Sequence, residues 1–201
     1  MILAMILALQ SPAGPALEPT AKNQQWLGDS DYPASNGDAS NGGVVTVKIV
    51  IAPNGIPETC AVVSSSGNTT INKLVCDLSL KRLRFKAPLS MSGIPTYAIW
   101  QRRAVLLPPG MTVKPEQPTS FNMRLAPSAL AKKNSYLRLI VSVDEAGNDV
   151  GCTASDKKSP SALIDLACAE VKSTWQSAPE VNGAGTAIPY IRWAIVKFED
   201  A

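Results

Sequence analysis

The chain has 201 residues, of which 45% are hydrophobic and 17% are charged, a composition typical of globular proteins and not of disordered ones. It contains no histidine, which excludes a Ser-His-Asp triad, a Cys-His dyad, a His-containing zinc site and haem with a His ligand. The net charge of +3 is too small to indicate nucleic-acid binding by itself.

Residues 1–16 resemble a signal peptide in composition. Met1–Leu9 is wholly apolar, and small residues follow it at Ser11, Ala13, Gly14 and Ala16. Nine apolar residues are fewer than the roughly 20 that cross a bilayer, but they fit a signal-peptide core. We therefore expect export, with a mis-assigned start codon or a buried strand as the alternatives. A longer apolar segment upstream of Met1 would instead anchor the chain in the inner membrane.

Three strands are predicted in the first half of the chain. Val45–Ile51 alternates apolar and polar residues as a half-buried strand does, and Asn54-Gly55 after it is a tight-turn signal. The second strand is predicted from about Glu58 to Ser64, and an apolar third strand from about Tyr97 to Leu107.

A helix is predicted between the second and third strands, over about Thr70–Arg84, with Thr69 or Thr70 as its N-cap. Its apolar residues share one face at helical spacing. They are Ile71, Leu74, Val75, Leu78 and Phe85. The resulting β-β-α-β unit, with one helix packed on a small antiparallel sheet, has an α+β fold.

The pattern returns later in the chain, which predicts a tandem duplication. Cys60 and Cys76 are 16 positions apart, as are Cys152 and Cys168, and the two pairs are offset by 92 positions. At the same offset the glycine of the first turn falls on Gly147, and the apolar strand positions coincide.

The duplication divides the chain into two predicted domains, each expected to fold alone. The first covers residues 22–107, and the second covers residues 119–200 and ends in an apolar strand at about Ile188–Phe198. Between them, residues 108–118 contain four prolines, which is typical of a linker.

The repeat predicts how the cysteines pair. Each unit has one cysteine in its second strand and one in its helix, so we expect the disulfides Cys60–Cys76 and Cys152–Cys168. Closing a loop of this size stabilises a fold by about 3 kcal/mol. Zinc ligands, a redox pair and free buried thiols are the alternatives, although zinc and redox motifs usually have closer spacing. Disulfides imply an oxidising compartment.

Three short motifs lie near the element ends of the first unit. They are Tyr32-Pro33 within the run Trp26–Ala34, Ser66-Gly67 after the second strand, and the run Arg82–Pro88 at the helix end. With the strand pattern, these motifs resemble the C-terminal domain of TonB, the periplasmic energy transducer of Gram-negative bacteria, over residues 22–107. The second unit resembles it only through its strand pattern, its cysteines, Gly147 and Asp165.

The resemblance implies a function for the chain. It implies a periplasmic module that binds a protein or an extended peptide, such as part of an outer-membrane receptor. A transducer also has a membrane anchor and a long proline-rich spacer, so we expect a binding module and not a complete energy transducer. The alternatives are a structural or interaction protein of the envelope, and a truncated gene model of a membrane-anchored transducer.

The predicted partner site is the final strand of the first unit, with the second unit as a structural companion. An added strand would pair beside Tyr97–Val105, where backbone groups supply affinity and side chains supply selectivity. The predicted site residues are Tyr97, Ile99, Trp100, Gln101, Arg102 and Arg103. We expect no enzyme, metal or cofactor, because the chain lacks histidine and a clustered acid pair. The Ser-x-x-Lys match at Ser155–Lys158 is interpreted as chance.

A basic cluster surrounds this strand in the sequence. Seven basic residues and one acidic residue, Asp77, lie between positions 73 and 103, giving a local charge of +6. The basic residues are Lys73, Lys81, Arg82, Arg84, Lys86, Arg102 and Arg103. They could steer an acidic partner or an anionic lipid, but a solvated helix face is the simpler interpretation. Nucleic acid is not expected as a partner of an exported protein.

Overall fold

The computed structural model describes residues 26–33, 42–108, 121–125, 136–155 and 158–200. Unit 1 consists of β1 (Gly43–Ile51), β2 (Pro57–Ser64), α1 (Thr69–Arg82) and β3 (Tyr97–Leu106). A short strand, β4 (Phe121–Leu125), follows it. Unit 2 consists of β5 (Tyr136–Val143), β6 (Asp149–Ala154), α2 (Ser161–Thr174), the hairpin strands β7 (Glu180–Val181) and β8 (Ala187–Ile188), and β9 (Tyr190–Asp200). The predicted signal-like segment 1–16 and linker residues 109–118 lie outside the described residues.

The two units share one order of elements, and the predicted α+β class is confirmed. Each unit has a helix of 14 residues, and the two helices begin 92 positions apart, at Thr69 and Ser161. A single-turn 3-10 helix, Asp29–Asp31, precedes unit 1.

The start of α1 differs from the sequence prediction. The helix begins at Thr69, and the residue before it, Asn68, is its N-cap: its side-chain oxygen accepts a hydrogen bond from the Ile71 backbone N–H at 3.1 Å. The prediction of a threonine cap is wrong because both threonines lie inside the first turn. Asparagine is among the strongest N-cap residues, so the local chemistry favours this start.

A single sheet joins the two units, in the order β2-β1-β3-β9-β5-β6. β1 is antiparallel to β2 and β3, while β5 is antiparallel to β6 and β9. β3 and β9 are parallel neighbours, paired over Tyr97–Ile99 and Tyr190–Arg192. The sequence predicted the two antiparallel sheets but not the parallel seam between them.

The parallel seam places the two helices on opposite faces of the sheet. β1 directs alternate residues toward the cluster that contains α1, but Val50 belongs to the other cluster, with Leu163 of α2. In the reverse direction, Ile140 and Ile191 of unit 2 lie in the cluster beneath α1. Each apolar core therefore contains side chains from both units.

A loop or hairpin from each unit also reaches over the other unit. At the β7–β8 hairpin, Glu180 pairs with Lys48 of β1 at 2.6 Å, and the Gly183 N–H donates to Glu58 of β2 at 3.1 Å. From unit 1, the sulfur of Met91 lies so close to Gly151 of β6 that a Cβ there would be 2.7 Å away. These contacts further connect the two predicted domains.

Both predicted disulfides are confirmed. Cys60–Cys76 and Cys152–Cys168 each tie the second strand of a unit to its helix, with Cα–Cα separations of 5.5 and 5.8 Å. The predicted turn after each first strand also recurs, with Gly55 at φ +83° and Gly147 at φ +85°. A side chain at either glycine would meet backbone from the segment that follows the unit's helix. Only glycine satisfies both requirements without strain.

Candidate functional site

The most distinctive feature of the sheet is the point where β3 and β9 separate. Their pairing ends at Ile99 and Arg192, and farther along β9 pairs with β4 over Val196–Asp200. We call this separation point the fork. From Trp100 to Leu106, no strand of the described residues pairs with the side of β3 that faces away from β1. We call this stretch the open edge.

The open edge presents backbone groups to an incoming strand. β1 pairs with β3 along its whole length, from Gly43 opposite Leu106 to Ile51 opposite Ala98. In an antiparallel pair, every second residue directs its N–H and C=O away from the partner strand. These outward groups form a template on which an extended segment can add a strand.

The side chains of the open edge divide between the two faces of the sheet. On the α1 face, the Trp100 ring packs edge-on against Phe85, with 5.4 Å between ring centroids, and the Arg102 guanidinium lies 6.0 Å from the Trp100 ring. On the opposite face, Gln101 is exposed and Val105 is 39% exposed. The edge therefore combines a fixed aromatic ring with exposed polar, basic and apolar side chains.

The structure separates the six predicted site residues into two groups. Tyr97 and Ile99 lie where β3 pairs with β9: the Tyr97 hydroxyl accepts a hydrogen bond from Asn182 at 3.4 Å, and Ile99 is buried in the core of unit 2. The expected free edge is therefore wrong at these two positions, because β9 occupies it. The other four lie on the open edge, and their role in binding stays a prediction. They are Trp100, Gln101, Arg102 and Arg103.

Much of the predicted basic cluster has partners within the protein. Arg82 donates to both carboxylate oxygens of Asp31, at 2.6 and 2.8 Å, and to the Trp26 carbonyl at 3.1 Å. Lys73 pairs with Asp77 one helical turn away. The side-chain hydrogen bond from Arg82 is the main cause that lowers the pKa of Asp31, and the same bond raises the pKa of Arg82. Arg82 therefore fastens the segment before β1 to the end of α1.

Unit 2 holds a buried ionic cluster that the sequence analysis did not identify. The Arg192 guanidinium lies 3.9 Å from the Trp175 ring centroid, pairs with Asp149 at 3.2 Å and donates to the Trp175 carbonyl at 3.2 Å. Ser177 donates to the same aspartate, and the Tyr190 hydroxyl donates to the Ala178 carbonyl. An arginine inside the apolar strand Ile188–Phe198 was the signal that could have revealed it.

Burial shifts the pKa of two groups in this cluster. Burial lowers the pKa of Arg192, with the charge of Asp149 opposing that shift. Burial also raises the pKa of the Tyr190 hydroxyl. Because every partner in the cluster comes from unit 2, the ionic cluster is best explained as a structural element of that unit.

A shallow cavity of about 220 Å³ lies between β6 and α2, beside the second disulfide. Its walls include Val141, Val150, Cys152, Cys168 and Lys172. Within the described ranges, no group of three or more Cys, Asp and Glu side chains is placed to bind a metal ion. The cavity therefore offers mainly apolar surface, with the charged residues Asp149 and Lys172 at its wall.

The helices in the described part of the chain were also considered as membrane spans. None of them combines the length and the apolar character that crossing a bilayer requires.

Comparison with known proteins identifies a family resemblance in unit 1. Residues 29–101 match the family model described as Gram-negative bacterial TonB protein C-terminal. The matched stretch runs from the 3-10 helix through β1, β2 and α1 to Gln101, inside the open edge. The match supports the predicted TonB resemblance but does not test the duplication. No curated protein and no solved structure matches the chain.

Proposed function

We propose that the chain is a TonB-like interaction module of the periplasm that binds an extended segment of a protein partner as an additional strand on the open edge of β3. The partner class that the family match favours is an outer-membrane receptor. The single observation that carries the proposal is that no described strand pairs with the side of Trp100–Leu106 that faces away from β1, where the matched stretch ends.

The open edge is suited to this role because it is held in position before a partner arrives. β1 pairs with every residue of the open edge, and Phe85, 5% exposed, supports the Trp100 ring from the core. A preformed edge loses little conformational entropy on binding, so more of the backbone pairing energy remains as affinity. The exposed Gln101 and Arg102 would then select among partner side chains.

The periplasmic location is part of the proposal and is supported by the disulfides. Both cysteine pairs are bonded, and such bonds persist in oxidising compartments such as the bacterial periplasm. The proposed role is binding and not catalysis, in agreement with the interaction domains of the matched family.

We also propose that unit 2 arose from unit 1 by duplication. Support comes from the equal helix lengths, the offset of 92 positions shared by the disulfides, and the matching turn glycines. The retained motifs and the family match to residues 29–101 support the proposal that unit 1 carries the binding role.

Two neighbouring proline substitutions test the proposed edge. Adjacent residues of β3 direct their N–H groups to opposite sides, so only one of Gln101→Pro and Arg102→Pro removes an N–H from the open edge. The other removes an N–H that bonds to β1. We expect the variant that loses an N–H of the open edge to keep its melting temperature and to lose peptide binding. We expect the variant that loses an N–H bonded to β1 to unfold at a lower temperature.

The probe is a phage-displayed library of random nine-residue peptides, selected on the immobilised full-length chain. Enriched peptides are then synthesised and their affinities measured by isothermal titration calorimetry against the wild type and both variants. Failure of any peptide to enrich would contradict the proposal. Undiminished binding by the stable proline variant would contradict it as well.

A further inference from the structure

Unit 2 places a tryptophan directly at the fork. Ile99 and Arg192 are the last paired residues, so the next residue on each strand, Trp100 or Trp193, flanks the fork. Both rings pack against the cluster that contains Ala98 and Ile191. The two tryptophans therefore lie on the α1 face, on either side of the place where an added strand would enter.

The indole N–H of Trp193 finds no acceptor in the part of the chain that the structure describes. Its nitrogen is shielded from solvent and has no hydrogen-bond partner among the described residues. A buried donor without an acceptor is unfavourable, and a group that supplies an acceptor recovers that lost free energy. Ile140, the cross-strand partner of Trp193 on β5, is apolar and has no side-chain acceptor to offer.

We propose that Trp193 is a specificity-determining residue of the peptide site, and that it selects an Asn or Gln side chain on the added strand. This inference rests on the proposed strand addition at the open edge. Side chains of neighbouring strands on one face lie about 4.5–5.5 Å apart at Cβ. The first residue of the added strand that faces α1 would thus lie just beyond Trp100 and Trp193, where the two strands separate, and its side chain would approach the indole N–H.

An amide side chain fits this position better than a carboxylate or an apolar side chain. Its oxygen accepts one hydrogen bond, which satisfies the indole N–H, and it carries no charge that would need desolvation between two aromatic rings. An apolar side chain would leave the N–H unpaired. Unit 2 would then contribute directly to binding, beyond its role as a structural companion of unit 1.

The test uses the full-length chain and the same library of random nine-residue peptides. We expect peptides enriched on the wild type to share one position dominated by Asn or Gln. A synthetic peptide with Gln at that position should bind about fivefold more tightly than its Leu counterpart, the ratio that one net hydrogen bond provides. In Trp193→Phe, which keeps an aromatic ring without the N–H, that ratio should fall to about one.

Trp26→Phe is the matched control, because Trp26 is a buried tryptophan of the unit 1 core and should leave the ratio unchanged. The indole N–H resonance of Trp193, assigned by its loss in Trp193→Phe, should move downfield when the Gln peptide is added. Peptides that bind without an amide preference, or a preference that survives in Trp193→Phe, would overturn the inference and leave the proposed function standing. No enriched peptide at all would overturn both.

Discussion

The two units differ in the side chains that pack between the segment after the helix and the final strand: they are aromatic in unit 1 and polar or charged in unit 2. In unit 1, Phe85 and Trp100 form an aromatic contact in the core. At the positions 92 residues later, unit 2 has Ser177 and Arg192, a polar and a charged residue. Both units have the strand-strand-helix-strand framework, so the difference lies in these side chains. We call the place where they pack the corner of each unit.

This difference accompanies a difference in how the side chains of the final strands, β3 and β9, are held. In unit 2, Arg192 is held on three sides, by Asp149, by the Trp175 ring and by the Trp175 carbonyl. β9 is also paired to β5 along most of its length. In unit 1, Arg102 of β3 is exposed at the open edge, while its guanidinium lies 6.0 Å from the Trp100 ring. The contrast is consistent with the proposed assignment of the binding strand to unit 1 and of a supporting strand to unit 2.

The largest expected effect comes from separating the two units. The fragment 22–108 retains its own disulfide and sheet, but it loses the unit 2 side chains that cover Val50 and Ile99. Burying a side chain of this size contributes about 1.5–3 kcal/mol, so we expect the fragment to fold with a free energy of unfolding about 3–6 kcal/mol lower than that of the whole chain. Urea denaturation of both proteins measures the difference.

The substitution Ile99→Ala, made in both the whole chain and the fragment, tests the cause of that loss of stability. Ile99→Ala should destabilise the whole chain by about 2–5 kcal/mol, because it leaves a cavity in a core built from both units. In the fragment the same substitution should have little effect, since the side chain is already exposed. Equal stability of fragment and whole chain would mean that the units are as independent as the sequence predicted.

The second prediction breaks the ionic corner of unit 2. Asp149→Ala leaves the Arg192 charge, 7% exposed, without its carboxylate partner. Removing one member of a buried ion pair usually costs about 3–5 kcal/mol, so we expect a loss of that size in the free energy of unfolding. Urea denaturation followed by circular dichroism measures it.

The matched control converts the ionic corner into an apolar one, as in unit 1. The double variant Asp149→Leu with Arg192→Met removes both charges together and should regain most of the lost stability. If the single variant unfolds no more easily than the wild type, the ionic corner contributes little and the contrast between the units is one of composition alone.

The sequence was sufficient to predict features that depend on local patterns. The alternation in Val45–Ile51, the apolar face of the helix and the recurring cysteines indicate the elements and both disulfides, and the structure has them. Each of these signals depends on residues close together in the chain or on an exact repeat.

The parallel seam could not be predicted in this way. It depends on how the two units pack. Val50 and Ile99 face away from the α1 cluster, and their apolar character is explained only once the second unit covers them. The unpaired indole of Trp193 and the Arg192–Asp149 pair are likewise products of the tertiary arrangement. Consequently the sequence assigned Tyr97 and Ile99 to a free edge that β9 occupies.

The smallest expected effect concerns the exposed counterpart of the buried ion pair. Arg82 and Asp31 form an ion pair in unit 1, but the arginine side chain is 40% exposed, compared with 7% for Arg192 in unit 2. Solvent screens such a pair, so Asp31→Asn should destabilise the chain less than Asp149→Ala does. Its effect should, however, depend on pH.

The hydrogen bond from Arg82 lowers the pKa of Asp31 in the folded chain below its ordinary value of 3.8. A carboxyl group with a lowered folded-state pKa contributes stability that is fully present above its unfolded pKa and is lost as the pH falls through the folded value. The stability difference between the wild type and Asp31→Asn should therefore be greatest at neutral pH, begin to decline near the ordinary pKa of 3.8, and vanish only below the lowered pKa of the folded chain. Thermal unfolding between neutral pH and pH 3 measures it. In an Arg82→Gln background, Asp31→Asn should show a much weaker pH dependence, because the guanidinium that lowers the pKa of Asp31 is gone. If the stability difference instead persists unchanged at low pH, Asp31 stabilises the chain through its hydrogen bond from the Gly28 N–H and not through its charge.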